Sequence, residues 1–276
     1  MTIRAMTFDD LGTVLAWAEA EGWNPGLNDA AAFHAADPAG FLVKEVDGAP
    51  VAAVSVVNHD AAFAFLGLYL CKPGYRGQGH GWDVWRAGIA HAGTRCIGLD
   101  GVPEQQENYA RSGFVKHGET IRYNGQIAAH RDRRIRPATT SDVAELVARD
   151  RTASGIDRQA FAASWVSAAP SRQTMILTNR SAVAGFATFR RCGMGTKVGP
   201  LHAVSDVDAV ALLGANPFSA PGAPMFVDVP GRSTPLAGVL EACGFTPVFE
   251  TARMWTGTPP NAELPPFCAI ATMELG

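Results

Sequence analysis

The sequence lacks the long apolar runs of a membrane protein. A helix that spans a bilayer needs about 20 consecutive, mostly apolar residues, and no segment reaches that length. The N-terminal segment MTIRAMTFDD also lacks a basic region followed by an apolar run, which is the pattern of a secretory signal. We therefore expect a cytoplasmic protein with no membrane partner.

Charge is sparse, and no basic surface is indicated. Charged residues make up 18% of the chain, and the formal net charge is −3. One basic cluster stands at Arg131, Arg133, Arg134 and Arg136, and we interpret it as a solvated linker. Because nucleic-acid binders present a strongly basic face, we predict no nucleic-acid partner.

Cysteine is scarce and shows no framework. The five residues are Cys71, Cys96, Cys192, Cys243 and Cys268. Their number is odd, and their spacing fits neither a disulfide pattern nor a zinc motif. We expect free thiols in a reducing compartment and no metal site.

What the sequence does contain is an internal repeat. Ile3–Val14 and Ile135–Leu146 match at an offset of 132, and each has a threonine followed three residues later by an aspartate, a spacing that caps helices. A Gly-Phe pair recurs near the end of each half at an offset of 131. We predict two copies of one fold, in residues 1–127 and 134–276.

The order of elements in the first half predicts an α/β (α+β) fold, with a mostly antiparallel central sheet flanked by helices. The predicted elements are a strand at Ile3–Ala5, a helix from Thr7, a helix around Ala30–His34, strands at Phe41–Val46, Pro50–Asn58 and Ala64–Leu70, a helix after the loop Gly74–Gly81, a strand at Cys96–Leu99 and a helix at Pro103–Ser112. In the second half, Phe267–Leu275 is predicted to form a closing strand.

A glycine-rich loop at Gly74–Gly81 is the most informative segment. It lies between an apolar strand and a helix. Glycines at positions 77, 79 and 81 leave backbone amides accessible, and the following helix N-terminus favours an anion. The spacing is neither G-x-x-x-x-G-K-[ST] nor G-x-G-x-x-G, which disfavours a nucleotide triphosphate and a dinucleotide. The loop therefore indicates a different diphosphate ligand, with Arg76 adding charge; a plain tight turn is the alternative.

The segment Pro73–Gly81 resembles the R-x-x-G-x-G loop of the GNAT N-acetyltransferase superfamily. Tyr109–Phe114 (YARSGF) resembles the Y-x-x-x-G-F ending of a later helix in the same family. The resemblance covers residues 3–125 and extends to the repeat, which implies a tandem GNAT protein. It also implies acetyl-CoA as cosubstrate.

The resemblance implies roles for individual residues. The pyrophosphate-binding loop is implied to comprise Arg76, Gly77, Gln78, Gly79, His80 and Gly81. Backbone groups that hold the pantetheine arm and the thioester are implied for Tyr69, Leu70 and Cys71. The side chain of His80 is expected to point to solvent, and Cys71 is expected to be unreactive.

The implied reaction is direct attack of an amine on the thioester. Tyr109 would protonate the leaving thiolate, unless it is merely a packed helix residue. A backbone amide of Leu70 or Cys71 would stabilise the oxyanion. Asp100, Glu104 and His80 are alternative bases, and loss of the proton through water is an equal alternative.

The tryptophans of the first half are expected to differ in role. Trp82 and Trp85 recur at helical spacing after the loop, and we interpret both as core residues. Trp23, which follows the first helix, is a candidate for the wall of the acceptor pocket.

The second copy lacks the features of the loop. Leu201–Asp208 contains neither arginine nor glycine, and Leu240 stands where Tyr109 stands in the first copy. We predict that residues 134–276 form a degenerate domain that does not bind CoA and instead walls the acceptor pocket of the first copy.

We predict an N-acetyltransferase for a small amine or amino-acid-like metabolite. A protein N-terminal or lysine acetyltransferase is an alternative in the same class, and a non-catalytic acyl-CoA sensor is an alternative in another. The sequence leaves homodimer formation open.

Overall fold

The computed structural model describes residues 2–180, 182–231 and 234–276. Its α-helices are α1 (Phe8–Ala20), α2 (Asp29–Ala36), α3 (His80–Ala92), α4 (Gln106–Arg111), α5 (Val143–Ser154), α6 (Gln159–Val166), α7 (Asp206–Gly214) and α8 (Pro235–Ala242). Its strands are β1 (Thr2–Ala5), β2 (Phe41–Val46), β3 (Ala49–Asn58), β4 (Phe63–Cys71), β5 (Cys96–Gly101), β6 (Val115–Gly125), β7 (Ile135–Pro137), β8 (Arg172–Asn179), β9 (Ala182–Arg191), β10 (Thr196–Ala203), β11 (Met225–Pro230), β12 (Thr246–Trp255) and β13 (Phe267–Ala269).

The repeat predicted from the sequence appears first in the helix caps. The hydroxyl of Thr7 accepts from the amide of Asp10 at 3.1 Å, and the Asp10 carboxylate accepts from the amide of Thr7 at 2.8 Å. Thr139 and Asp142 form the same capping box before a 3-10 turn that leads into α5. Each half therefore starts its first helix with the same local chemistry.

All the strands of the described ranges belong to one continuous sheet. Its order is β1-β2-β3-β4-β5-β12-β6-β11-β10-β9-β8-β7, with β13 beside β10. Most neighbours are antiparallel, whereas β4 with β5 and β10 with β11 are parallel. The α/β (α+β) prediction of a mostly antiparallel sheet flanked by helices is confirmed.

The two halves exchange strands at the centre of this sheet. β12, from the second half, lies between β5 and β6 of the first half. β6 in turn pairs with β11 of the second half. The predicted boundary between residues 127 and 134 falls between β6 and β7, so units that are separate in sequence interlock in space.

Two bidentate ion pairs join the exchanged strands to their new neighbours. Arg253 on β12 donates to Asp100 on β5 at 3.0 and 2.7 Å. Arg122 on β6 donates to Asp228 on β11 at 2.7 and 2.9 Å. Both carboxylates are buried, so each arginine compensates a charge that would otherwise be costly to bury.

Helices cover both faces of the sheet because β3 is apolar on both sides. Ala53 and Val57 contact a buried cluster that includes residues of α1, α2 and α6. Val54 and Val56 belong to another cluster, with Trp85 of α3 and Tyr109 of α4. Since alternate residues of a strand face opposite sides, these two clusters lie on opposite faces.

Two expectations about local structure are wrong. Phe267–Leu275 is not one strand, because only Phe267–Ala269 pairs with β10 and the chain then turns. Trp82 is not in the core: it is 54% exposed, since the buried face of α3 is made by residues such as Val84 and Trp85. The prediction of a buried Trp85 is confirmed.

Candidate active site

The candidate site lies where β4 and β5 separate. These parallel strands pair from Phe63–Leu66 with Cys96–Leu99, and β4 then bulges, because its register with β3 shifts between Gly67 and Leu70. Leu68, in the bulge, has a φ of 44°, a conformation that costs free energy for a residue with a side chain. A cavity of about 80 Å³, here called the split cavity, lies at this separation.

The glycine-rich loop begins with a 3-10 turn at Pro73–Tyr75 and ends at the N-terminus of α3. Gly77 and Gly79 have φ of 74° and 83°, which is the left-handed region that glycine enters without steric cost. A β-carbon at either position would meet no atom within 4 Å. Because first-turn amides of a helix have no partner within it, this open turn can hold an anion.

The side chain of Arg76 is held in place by two residues of the first half. Its Nε donates to the carbonyl oxygen of Cys71 at 2.9 Å, and its guanidinium pairs with Glu21 at the end of α1. The side chain is half exposed, so the pair with Glu21 is weak and open to exchange for another anion. Gln78 bonds back to the carbonyl oxygen of Gly74 at 2.9 Å and stabilises the turn.

The side chain of His80 is buried, so the expectation that it points to solvent is wrong. The residue is only 6% exposed, and its ring lies 5.8 Å from the ring of Tyr75. Its Nδ1 is buried without a hydrogen-bond partner among the described residues. The unpaired Nδ1 of His80 could form a hydrogen bond with a ligand bound at the turn.

Tyr69 lies in the bulge, and Leu70 and Cys71 follow it. Each of the three side chains has a different environment. Tyr69 lines the split cavity, and its hydroxyl lies against Gly81, where a β-carbon would come within 2.9 Å. Leu70 is buried among core residues of the α1 face. Burial raises the pKa of the Cys71 thiol, although Arg76 opposes the shift, which fits an unreactive thiol.

Tyr109 is placed on α4 at the wall of the split cavity. Its ring stacks on Trp85 at 5.6 Å with an angle of 15° between the planes. Burial raises the pKa of Tyr109 above its ordinary value, with a smaller contribution from Tyr69. The hydroxyl group is therefore protonated at neutral pH, as a proton donor must be.

The three candidate bases lie in different places. Asp100 lines the cavity, but its carboxylate is held by Arg253 and also accepts from Thr120 at 3.0 Å. Glu104 is exposed on a 3-10 turn. His80 lies beside Tyr75 of the glycine-rich loop and is not one of the residues that line the split cavity. Asp100 thus has a structural partner, and its charge is already compensated.

The far wall of the split cavity comes from distant parts of the chain. It is made by Trp23, by Arg122 on β6, by Phe249 and Thr251 on β12, and by Met273 and Glu274 near the C-terminus. The expectation for Trp23 matches this position. The sequence reasoning missed the other residues, although Arg122 and Arg253 recur at the repeat offset of 131, a signal that could have identified the two ion pairs.

The corresponding separation in the second half is filled by the chain itself. β10 and β11 pair from Thr196–Val198 with Met225–Val227. Beyond that point β13 pairs with β10, and the amide of Ile270 donates to the carbonyl oxygen of Asp228 on β11 at 2.9 Å. Helix α7, which follows β10, starts with the acidic residues Asp206 and Asp208, a first turn that repels anions.

No group of three metal-ligating side chains was found in residues 2–180, 182–231 and 234–276. Within the same ranges, no helix is long and apolar enough to cross a membrane.

Comparison with known proteins identifies both halves. Residues 8–114 match the acetyltransferase (GNAT) family, and residues 146–264 match an acetyltransferase (GNAT) domain. The chain is 33% identical over 280 residues to holothin acyltransferase of Pseudoalteromonas sp. (strain SANK 73390), covering 100% of this chain and 94% of that protein.

Solved structures share the fold over nearly the whole chain. A structure from Pyrococcus horikoshii, described as that of a candidate acetyltransferase, superposes with a TM-score of 0.79 at 20% identity, covering 100% of this chain and 95% of that one. A tandem GNAT protein from the clavulanic acid biosynthesis pathway has a TM-score of 0.61 at 15% identity, with 93% and 99% coverage. At these identities the likeness concerns the fold alone. Together with the family matches and the 33% identical relative, it shows that the chain belongs to the GNAT superfamily, as a tandem-domain, acyl-CoA-dependent acyltransferase.

Proposed function

We propose that the protein transfers an acetyl group from acetyl-CoA to the amine of a small molecule. The observation that carries the proposal is the split cavity, which has Tyr69 and Tyr109 on one wall and residues of the second half on the other. The cavity is small and partly enclosed, which favours a compact acceptor over a protein segment. The first half would bind the cosubstrate, and the second would complete the acceptor side.

The glycine-rich loop would bind the CoA pyrophosphate. Open amides at Gly77 and Gly79, the α3 N-terminus and the free Nδ1 of His80 support this role. Arg76 would exchange its weak pair with Glu21 for a phosphate oxygen. The loop before α7 has no glycine or arginine, and this helix starts with Asp206 and Asp208.

The transfer itself would need few groups. A neutral amine attacks the thioester carbon, and a backbone amide of Leu70 or Cys71 stabilises the oxyanion. The C–S bond then breaks, Tyr109 protonates the departing thiolate, and the nitrogen gives up its extra proton to a base or to solvent, which also restores the Tyr109 hydroxyl group. Its stacking on Trp85 fixes the ring at the cavity wall, which orients the hydroxyl group before reaction.

The acceptor is proposed to be a small metabolite of the kind acted on by the similar protein, whose name gives holothin as the acceptor. Purified protein would be incubated with acetyl-CoA and a panel of amines, holothin included, while thiol release is followed. Thiol release that depends on a small amine supports the proposal. Binding of acetyl-CoA without such release indicates a sensor, and release with peptides alone indicates a protein acetyltransferase.

A further inference from the structure

The C-terminal segment after β13 crosses from the second half to the active site of the first. The ring of His59 donates to the carbonyl oxygen of Leu275 at 2.9 Å, and Arg158 donates to the carbonyl oxygen of Gly276. The segment also contacts β4 directly, since a β-carbon on Gly67 would lie 2.1 Å from the carbonyl oxygen of Glu274. These contacts fix the position of Glu274 in the wall of the split cavity.

The Glu274 carboxylate is buried but only half satisfied. The residue is 7% exposed. Thr272 donates its hydroxyl to Oε2, whereas Oε1 accepts no hydrogen bond from any residue in the described ranges. An oxygen without a donor, on a residue that lines the same cavity as Tyr109, can accept a hydrogen bond from a ligand in that cavity.

The charges around Glu274 are already balanced or slightly positive. Arg122 pairs with Asp228, and Arg190 pairs with Asp29. Lys197 donates to the carbonyl oxygen of Trp23 at 2.8 Å and has Glu274 as its remaining counter-charge. Arg172 adds a further cation near Asp29 and Arg190. An ammonium ion buried here would therefore lack a free counter-charge.

Glu274 is ionised in this setting. Burial opposes its ionisation, but Lys197, the Thr272 hydrogen bond, Arg122 and Arg190 outweigh burial and hold the pKa below its ordinary value. A neutral N–H donor would satisfy Oε1 without adding charge. The aromatic rings of Trp23 and Phe249 on the same wall would contact a flat acceptor.

We propose that Glu274 accepts the N–H of a weakly basic, aryl-type amine and takes up its proton during acyl transfer. The amine nitrogen forms the C–N bond to the thioester carbon and becomes cationic. Its proton passes to Oε1 as the C–S bond breaks, and the proton of Tyr109 goes to sulfur. Solvent then returns the proton from Glu274 to Tyr109, so that amide and free thiol are the products. This inference rests on the proposed function.

The first test compares Glu274→Gln with wild type. Glutamine keeps the shape but cannot take the proton, so kcat for an amine acceptor should fall about 100-fold, while the Kd for acetyl-CoA stays within about twofold. Glu263→Gln, which alters an exposed glutamate of the same C-terminal region, is the matched control and should keep wild-type kcat. Wild-type kcat in Glu274→Gln would overturn the inference.

A second test separates catalysis from charge balance. If Glu274 serves only as the counter-ion of Lys197, the double variant Lys197→Met/Glu274→Gln should recover both Tm and kcat. We expect it to recover Tm relative to Glu274→Gln and to remain about 100-fold slow. Recovery of kcat would reassign Glu274 as a counter-ion.

The acceptor class is tested with amines of similar size, aniline and cyclohexylamine, at neutral pH. We expect kcat/KM for aniline to be at least about tenfold higher, because cyclohexylamine must be buried as a cation or deprotonated first. A preference for cyclohexylamine would overturn the assignment of the class. If the wild-type protein releases thiol with none of these amines and with no member of the larger panel, the proposed function is wrong. If the wild-type protein is active but Glu274→Gln has wild-type kcat, only the role of Glu274 is wrong.

Discussion

The two halves share one fold, but the space between the separating strands β4 and β5 differs from the space between β10 and β11. In the first half, β4 and β5 enclose the split cavity, with Tyr109 at its wall. In the second half, β13 and Ile270 fill the space between β10 and β11, and buried Leu240 replaces the tyrosine. The second half therefore differs from the first both in the groups at its loop and in the chain that occupies the space between its strands.

The largest effect should come from breaking the ion pairs that join the halves. Arg253→Leu leaves Asp100 buried without its partner, and Arg122→Leu does the same to Asp228, so each should lower the free energy of unfolding by about 3–5 kcal/mol. Urea unfolding measures both, with the exposed Arg111→Leu as a control near zero. A loss below about 1 kcal/mol for both variants would show that these pairs do not stabilise the exchange.

Acid should destabilise both halves through one histidine in each half whose pKa is lowered. Burial lowers the pKa of His59 to about 4, helped by Arg158, and burial lowers that of His202 to about 4. In the unfolded chain the histidine pKa is about 6.5. Below that pH the unfolded chain binds protons that the folded chain does not, so the free energy of unfolding falls as the pH drops from about 6.5 to 4. At pH 5 the loss is about 2 kcal/mol per histidine. His202→Gln should reduce the difference in stability between pH 7 and pH 5, and an unchanged difference would contradict this.

The glycine-rich loop of the first half and the start of α7 in the second half can be compared by adding acidic residues to the former and removing them from the latter. Arg76→Glu with Gly79→Asp should weaken CoA binding at least about 100-fold, because carboxylates replace a cation and an open amide. Asp206→Gly with Asp208→Ser should not create a second site, since β13 still fills the separation. Calorimetry should therefore give one CoA per chain for the second variant, and two would refute the argument.

The smallest effect is expected on comparing Tyr109, the proposed proton donor, with Leu240, the residue at the equivalent position of the second half. Tyr109→Phe should lower kcat at least about tenfold while the Kd for acetyl-CoA stays nearly unchanged, because only the hydroxyl group is lost. Leu240→Ala should cost about 2–5 kcal/mol of stability as a core truncation with little change in kcat. Wild-type turnover in Tyr109→Phe would remove this residue from the mechanism.

Local patterns predicted the parts of this molecule that depend on local chemistry. The capping boxes and the glycine-rich loop, with Gly77 and Gly79 at positive φ, follow from short-range preferences of the backbone. The GNAT family and the two-copy organisation followed from motifs and spacing, and the comparisons confirm them.

Long-range pairing set the limit of the prediction. The sequence offers Asp100 only as a candidate base, because its partner Arg253 lies 153 residues away. Glu274 carries no local pattern at all, and only the path of the C-terminal segment brings it to the cavity. The burial of His80 and the exposure of Trp82 depend on how α3 rotates against β3, and helical spacing alone does not fix that rotation.

The exchange of β6 and β12 also sets the order in which an active site can be completed during synthesis. The ribosome releases the glycine-rich loop and Tyr109 early, but the cavity wall includes Phe249 and Glu274, which are made near the end. A nascent first half would thus carry the proposed CoA-binding groups before the wall of the split cavity is complete. If acyl transfer takes place in this cavity, it requires both halves, although the motif residues that resemble the family lie within the first 114 positions.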